Sequence, residues 1–267
     1  MIDPDRLDAE NPNEAMWRAV LEGTDPVYAR TRAWLKHLPG SPRCKMCAAP
    51  FGRPGHLFMH LLGRDRWSKN PEYCGSCFRV LETHHGGAEI ESSFLFADVR
   101  GSTTMAEQIS ATAFRQQLNR FYEVASRLLV EHDGIVDKFV GDEVVGIFIP
   151  ALTKNEHAAR AVETARALLL ATGHADPSGP WLPVGIGIGT GVAFIGSVGE
   201  PPVTSLTALG DIVNTSARLS SAAAEGEILV TSATASASAL DTSGLERRQL
   251  ALKGKTDTTD VFVLTVG

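Results

Sequence analysis

The sequence contains no apolar run of the length that a membrane-spanning helix needs, which is about 20 residues. The nearest candidates, residues 144–152 and 161–171, are short or flanked by charges. The first residues also lack the basic and apolar stretches of a secretory signal peptide. These absences predict a cytoplasmic protein that has no membrane partner.

An excess of basic residues is missing as well, because 25 lysines and arginines face 31 acidic residues and give a net charge of -6. We therefore expect no general affinity for nucleic acid. Arg64, Arg66 and Lys69 lie close to Trp67 and could form a local patch, although an exposed loop is the simpler interpretation. A content of 43% hydrophobic and 21% charged residues is typical of a globular protein.

Cysteine is scarce, and its four copies form two Cys-x-x-Cys pairs, Cys44 with Cys47 and Cys74 with Cys77. In a reducing compartment this pattern indicates metal ligation before disulfides. Two such pairs can present four thiolates tetrahedrally, as zinc ribbons do. Zinc is the favoured ion, with iron or an iron–sulfur centre as an alternative and a thiol switch as a third. The segment would be either a structural staple or a sensor.

Composition divides the chain into four segments. Residues 1–43 show helical patterns, residues 44–81 form the zinc-ribbon-like segment, and residues 82–91 are a short polar linker. Residues 92–267 then alternate between strand and helix patterns. Any signal from the cysteine segment would reach this last region through the linker.

The final segment predicts a single α+β domain. Its predicted helices cover residues 112–132, 156–172 and 211–224. Its predicted strands cover residues 94–99, 135–140, 144–149, a glycine-rich strand pair within 182–198, and closing strands at 228–231, 246–252 and 261–266. This order predicts a mainly antiparallel sheet with helices packed on one face.

Two aspartates occupy positions suited to metal binding. Asp98 ends the strand at 94–99, and Asp142 lies at the tip of the hairpin formed by the next two strands. Magnesium sites commonly use one or two protein carboxylates. If the strands are neighbours, both carboxylates can hold one pair of metal ions, although either aspartate alone would more often be a turn or cap residue.

Four motifs around these aspartates carry a resemblance to a known family. They are FADVRGST (96–103), KFVGD (138–142), ALGDIVNTSAR (208–218) and LKGK (252–255). In this order they resemble the motifs of class III adenylyl cyclases, and the resemblance covers residues 92–267. It implies a ferredoxin-like cyclase catalytic domain, preceded by the small helical and zinc-ribbon-like segments.

The resemblance implies a two-metal reaction on ATP. Asp98 and Asp142 match the aspartates that bind two Mg²⁺ or Mn²⁺ ions. Lys138 matches a residue that contacts the purine, where an ammonium suits the acceptor N1 of adenine and guanylyl enzymes carry an acidic residue. Thr207 matches the second purine position, often Asp, and its hydroxyl both donates and accepts. We expect ATP to be converted to cyclic AMP and pyrophosphate, with a guanylyl or relaxed-specificity cyclase as the alternative.

Three further residues complete the implied site. Asn214 and Arg218 match residues that orient the ribose and stabilise the transition state, and Lys253 matches a lysine that contacts the phosphates. Asn214 and Arg218 are four residues apart on a predicted helix, so they share a face. In this family the metal aspartates come from one catalytic domain and the other residues from its partner. Since this chain carries both sets, we expect a homodimer with two equivalent sites at the interface.

Rival interpretations differ in the residues that they require. Residues 140–144 distantly resemble the signature of diguanylate cyclases, but that family lacks the Asn214/Arg218 helix and the Lys253 motif. A catalytically silent, cyclase-like sensor would lack a metal aspartate or a transition-state residue, and none is missing. The combination of Lys138 with Thr207 resembles a subgroup that includes bicarbonate-responsive cyclases, so bicarbonate activation is a further hypothesis.

Overall fold

The fold is described by a computed structural model for residues 13–68, 70–77, 85–200, 203–252 and 258–266. Lys69 and Lys253 lie outside these ranges, as do parts of the predicted segments 1–43, 44–81 and 82–91. Within the described residues, no helix is both long and apolar enough to traverse a lipid bilayer.

The described residues form helices and strands in the following order. The helices are α1 (Glu14–Leu21), α2 (Pro26–Leu35), α3 (Gly55–Leu61), α4 (Ser102–Gln108), α5 (Ala111–Glu131), α6 (Pro150–Thr153), α7 (His157–Ala171), α8 (Asp211–Ala222) and α9 (Ser232–Ala237). The strands are β1 (Gly87–Val99), β2 (Ile135–Val140), β3 (Glu143–Phe148), β4 (Val184–Glu200), β5 (Val203–Leu209), β6 (Ile228–Thr231), β7 (Glu246–Leu250) and β8 (Thr259–Leu264).

All eight strands belong to one sheet, in the order β2-β3-β1-β4-β6-β8-β7, with β5 paired to β4. Every pair is antiparallel except β4 with β6, which is parallel. This arrangement confirms the predicted α+β class with a mainly antiparallel sheet. Local signals set the boundaries well: α5 begins after Ser110, whose hydroxyl accepts a hydrogen bond from the backbone N–H of Ala113 at 3.2 Å.

Helices cover both faces of this sheet, whereas the sequence predicted only one covered face. Side chains alternate along β1, so that Leu95 and Ala97 pack in the core under α5 and α7. Phe94 and Phe96 point the other way, into a core that also contains α1 and the cysteine segment. The cysteine segment therefore shares a core with the sheet instead of standing apart from it.

Two predicted boundaries are wrong. The glycine-rich stretch is not a strand pair but one strand, β4, of 17 residues. The predicted linker ends early, because residues 87–91 already belong to β1, where Ala88 and Ile90 are buried and pair with β4. Glu89 and Glu91 alternate with these apolar residues, which is a strand pattern that the polar composition obscured. The division of the chain into functional segments remains a prediction.

Glycines in β4 bring α8 close to the sheet. A Cβ atom on Gly187 would lie 2.3 Å from the backbone nitrogen of Ser220, and one on Gly189 would lie 2.3 Å from the Ser216 hydroxyl. Only residues without a side chain allow this approach. The glycine run therefore sets the position of α8, which is the helix that carries Asn214 and Arg218.

Candidate active site and metal centre

The structure brings Asp98 and Asp142 to the same edge of the sheet. Asp98 pairs with Glu143 in the antiparallel ladder between β1 and β3. Asp142 lies in the turn that joins β2 to β3, and its carbonyl accepts a hydrogen bond from the Val99 N–H at 3.4 Å. Gly141 precedes it with a φ of 61°, a left-handed conformation that favours glycine in this tight turn. The predicted neighbourhood of the two aspartates is present.

Arg100 and Glu143 complete the charge distribution at this edge. The Arg100 guanidinium forms an ion pair with Asp98. Burial raises the pKa of Glu143, and the nearby Asp142 adds to this effect, while a hydrogen bond from Ser220 at 2.9 Å opposes it. The carboxylates of Asp98, Asp142 and Glu143 thus face a single guanidinium. Their oxygen atoms and net negative charge suit divalent cations such as Mg²⁺. Sequence reasoning assigned no role to either Arg100 or Glu143.

The side chains of Lys138 and Thr207 are in contact, although the two residues are 69 positions apart in the chain. The Lys138 ammonium on β2 donates to the Thr207 hydroxyl on β5 at 2.8 Å. The same hydroxyl donates to the Asp137 carboxylate at 3.1 Å, and the ammonium lies 3.3 Å from that carboxylate oxygen. The side chain of Asp137 is only 4% exposed, while that of Lys138 is 49% exposed. Sequence reasoning missed Asp137; its only signal is a carboxylate among the apolar residues of a strand.

Asn214 and Arg218 lie on α8 where they can face a partner. Asn214 is exposed and Arg218 is half-buried. The opposite side of the helix is fixed on the sheet through buried residues, among them Thr215, Ser216 and Leu219. The structure therefore leaves Asn214 and Arg218 at the surface. Lys253, which completes the predicted set, lies outside the described residues.

The four cysteines converge as the sequence predicts. Their Sγ atoms all lie within 4.8 Å of one another. The Sγ separations are 3.9 Å for Cys44–Cys77, 3.5 Å for Cys47–Cys74 and 3.4 Å for Cys74–Cys77. A tetrahedral ion with Zn–S bonds of about 2.3 Å sets its sulfurs about 3.8 Å apart. This spacing fits one zinc or one iron ion. An iron–sulfur cluster, in which the cysteines bind several iron atoms, requires larger separations between the cysteine sulfurs.

The charge around the thiols also fits a bound cation. Interactions with the neighbouring thiols lower the pKa of Cys44, whereas interactions with the other three thiols, together with burial, raise the pKa of Cys77. Four thiolates this close together would repel one another, and a bound cation removes that repulsion. Arg64 lies beside them, with its guanidinium 3.4 Å from the Cys47 sulfur.

Arg64 and Arg66, the two described cations of the possible basic patch between the cysteine pairs, both contact other parts of the protein. Arg64 contacts the cysteine cluster, and Arg66 donates to the Pro71 carbonyl at 2.7 Å and lies over the Phe51 ring. Trp67 is buried, so the prediction of an exposed loop is wrong for this residue.

The cysteine segment contacts the turn that leads into β2. The Lys45 ammonium lies 2.6 Å from the Asp133 carboxylate, which also accepts a hydrogen bond from the Tyr73 hydroxyl at 3.1 Å. Asn70 is fully buried and donates to the Gly134 carbonyl at 2.7 Å. Because β2 begins at the next residue, the segment touches the strand that carries the predicted purine contact.

The fold and the site together define a nucleotide cyclase domain. Residues 89–265, more than half of the chain, match the adenylate and guanylate cyclase catalytic domain. The chain belongs to this family, the class III cyclases, whose members bind a nucleotide, use Mg²⁺ or Mn²⁺ and act as dimers.

Solved structures and curated relatives support the same family. The adenylyl cyclase CyaB from P. aeruginosa is 26% identical, with a TM-score of 0.60 over 68% of this chain and 97% of that chain. The guanylyl cyclase Cya2 is 27% identical, with a TM-score of 0.61 over 68% of this chain and 95% of that chain. Adenylate cyclase 1 of Rhizobium meliloti is 31% identical over 144 residues, which are 51% of this chain and 22% of that protein. The chain thus matches less than a quarter of that relative's length.

Proposed function

We propose that this protein is an adenylyl cyclase, which converts ATP to 3′,5′-cyclic AMP and pyrophosphate. The overall similarity does not select the base, because an adenylyl and a guanylyl cyclase match equally well. The contact between Lys138 and Thr207 carries the proposal. The Lys138 ammonium can donate a hydrogen bond to the acceptor N1 of adenine, and the Thr207 hydroxyl beside it can accept one from the exocyclic amino group.

In this proposal Asp98 and Asp142 hold two Mg²⁺ or Mn²⁺ ions, which would activate the ribose 3′-hydroxyl and offset charge on the leaving pyrophosphate. The protein supplies the shape of this site. Asp98 is fixed on β1 and Asp142 on the adjoining turn, so the two carboxylates stay close without any rearrangement of the sheet. Arg100 offsets part of their mutual repulsion.

Asn214 and Arg218 act on the sugar and the phosphates in this proposal. Asn214 would orient the ribose, and the Arg218 guanidinium would stabilise the negative charge that develops on the transferred phosphoryl group. Lys253 is proposed to contact the phosphates as well. The close packing of α8 on β4 restricts the movement of Asn214 and Arg218, as a preorganised site requires.

We propose a twofold homodimer in which each active site uses both chains. One protomer would contribute Asp98 and Asp142, and its partner would contribute the purine and transition-state residues. Large apolar side chains on β2, β4 and β5 are exposed around these positions, including Phe139, Val140, Val192 and Leu209. Such a patch suits a self-complementary interface.

We propose that the tetrathiolate site holds zinc, with a single iron as the alternative, and that it regulates the catalytic domain. The contacts on Asp133 and Gly134 provide a direct route to β2. This route differs from the one predicted through residues 82–91, because it acts through packed side chains at the start of the strand that carries Lys138.

The substrate proposal is tested by product analysis. Purified protein is incubated with Mn-ATP and, separately, with Mn-GTP, and the products are separated and identified by mass. We expect cyclic AMP as the main product. The Asp98→Ala variant is the control and should form no cyclic AMP. Cyclic GMP in excess of cyclic AMP would replace the proposal with a guanylyl cyclase, and no cyclic product would reject enzymatic activity.

A further inference from the structure

Asp137 lies at an irregular point of β2 that turns its side chain toward Thr207. The pairing of β2 with β3 shifts register between Val136 and Lys138, as at a β-bulge. Neighbouring strand residues normally point to opposite faces, and a bulge re-aims one of them. Asp137 and Lys138 consequently both reach the hydroxyl of Thr207.

The three groups fix the direction of the hydrogen bonds. A hydroxyl has one hydrogen and two lone pairs, a carboxylate only accepts, and an ammonium only donates. The Thr207 hydrogen is therefore directed to Asp137, and one lone pair receives the Lys138 ammonium. Toward a third group, the hydroxyl offers its remaining lone pair and acts as an acceptor.

This polarity matches adenine and opposes guanine in the same orientation. Adenine presents the acceptor N1 beside the donor N6 amino group, so Lys138 donates to N1 and Thr207 accepts from N6. Guanine presents an N1–H donor beside the acceptor O6. The ammonium would then face a donor and the hydroxyl would face an acceptor, and neither contact forms.

We propose that Asp137 is a specificity-determining positioning residue: it holds the Thr207 hydroxyl as an acceptor and thereby selects ATP over GTP. The inference rests on the proposed function, in which Lys138 and Thr207 contact the purine. It accounts for how a threonine, which by itself both donates and accepts, discriminates between the two bases. Asp137 acts through Thr207 and does not touch the substrate.

The test measures kcat/KM for ATP and GTP in the Asp137→Ala variant. Without the carboxylate, the Thr207 hydroxyl is free to rotate and to donate to O6 of guanine. We expect the ratio of the two kcat/KM values to fall about tenfold, the typical worth of one such hydrogen bond. The change should appear mainly in KM. Binding of 3′-deoxy-ATP and 3′-deoxy-GTP, which lack the attacking hydroxyl, should shift in the same direction.

A double-mutant comparison separates this role from a structural one. In the Thr207→Val background no hydroxyl remains to be oriented, so Asp137→Ala should no longer change the ATP:GTP ratio. A structural role would instead lower activity on both nucleotides equally in both backgrounds. If Asp137→Ala does not fold, Thr207→Val and Thr207→Ser serve as the pair. Only the serine variant should keep the ATP preference.

The outcomes distinguish this inference from the proposed function. A wild-type protein that prefers ATP, with an unchanged ratio in Asp137→Ala or in Thr207→Val, would overturn the role of Asp137 and leave the adenylyl cyclase proposal intact. A wild-type protein that makes no cyclic AMP, or that prefers GTP, would overturn both.

Discussion

At the scale of single residues, the last turn of α8 holds the charged groups beside Asp98 and Asp142, the proposed metal ligands. Arg100 pairs with Asp98 and also donates to the Ser221 carbonyl at 3.0 Å. Glu143 accepts a hydrogen bond from Ser220 at 2.9 Å. The same helix carries Asn214 and Arg218 on another side. A change in the position of α8 would therefore alter the charge around the aspartates together with the positions of Asn214 and Arg218.

Asp142→Asn should lower kcat with Mn-ATP by about 100-fold, because one proposed metal-binding carboxylate is lost and the loss costs several kcal/mol of transition-state stabilisation. The melting temperature should change little, since Asp142 lies in a half-exposed turn. Steady-state kinetics and thermal unfolding measure the two effects.

Glu143→Gln is the matched control for this substitution. It removes a neighbouring charge but keeps an oxygen that can accept the hydrogen bond of Ser220. It should retain most of the activity. An equal loss in both variants would show that general negative charge, and not ligation by Asp142, is what the reaction needs.

At the scale of helices and strands, the contact between β4 and α8 determines the geometry of the site. Gly187 lies under the backbone of Ser220, and Gly189 lies under Ser216. Gly191, further along the same face, has more space, since its nearest neighbour would be 3.5 Å from an added Cβ. An added side chain should therefore disturb the packing of α8 at Gly187 and leave it unchanged at Gly191.

Gly187→Ala should displace α8 and reduce both kcat and the melting temperature. The added Cβ would meet backbone atoms, which cannot move aside as a flexible side chain can, and overpacking of this kind costs about 1–3 kcal/mol. Gly191→Ala should stay close to wild type in both measurements. If the two variants behave alike, close packing of α8 is not what positions Asn214 and Arg218.

Sequence reasoning predicted those elements whose signals are local. The helix predicted at residues 112–132 is α5 (Ala111–Glu131), and the two apolar runs on either side of Gly141 predict the β2–β3 hairpin. The glycine-rich β4 was predicted wrongly, because glycine also marks turns and only the helix above the strand explains its abundance. The pairing of Lys138 with Thr207 could be expected from the family resemblance alone. Asp137 could not be predicted, because a shift in strand register aims its side chain.

At the scale of the whole molecule, the cysteine segment and the catalytic sheet form one packed body. Cys44, Cys74 and Trp67 belong to the same buried cluster as Phe94 and Phe96 of β1. If the four cysteines hold a metal as proposed, a segment with so few residues should depend on that metal for a stable fold. Loss of the ion should therefore disturb the back of the sheet as well as the segment itself.

Removal of the thiolate-bound metal should lower the melting temperature and the cyclase activity together, measured after chelation and with Mn²⁺ restored in excess. We expect about one zinc per chain in the untreated protein by elemental analysis. Cys74→Ser should reproduce the effect. Full activity and an unchanged melting temperature after metal loss would contradict a role for this site in the catalytic domain.

Lys45→Met separates metal binding from its effect on catalysis. It removes the ion pair with Asp133 and leaves all four thiols in place. The variant should keep its metal and show reduced activity, because the turn before β2 is no longer held. Normal activity with normal metal content would argue against this turn as the route of regulation.

The central claim is an adenylyl cyclase site that two copies of this chain build together. The most direct test mixes two inactive variants, Asp98→Ala and Arg218→Ala, and measures cyclic AMP formed from Mn-ATP. Each mixed dimer should contain one site with intact aspartates and an intact Arg218, so activity should return to about a quarter of the wild-type value after random exchange of subunits. Mixed dimers that form, as shown by co-purification of differently tagged chains, and yet make no cyclic AMP would contradict the shared site.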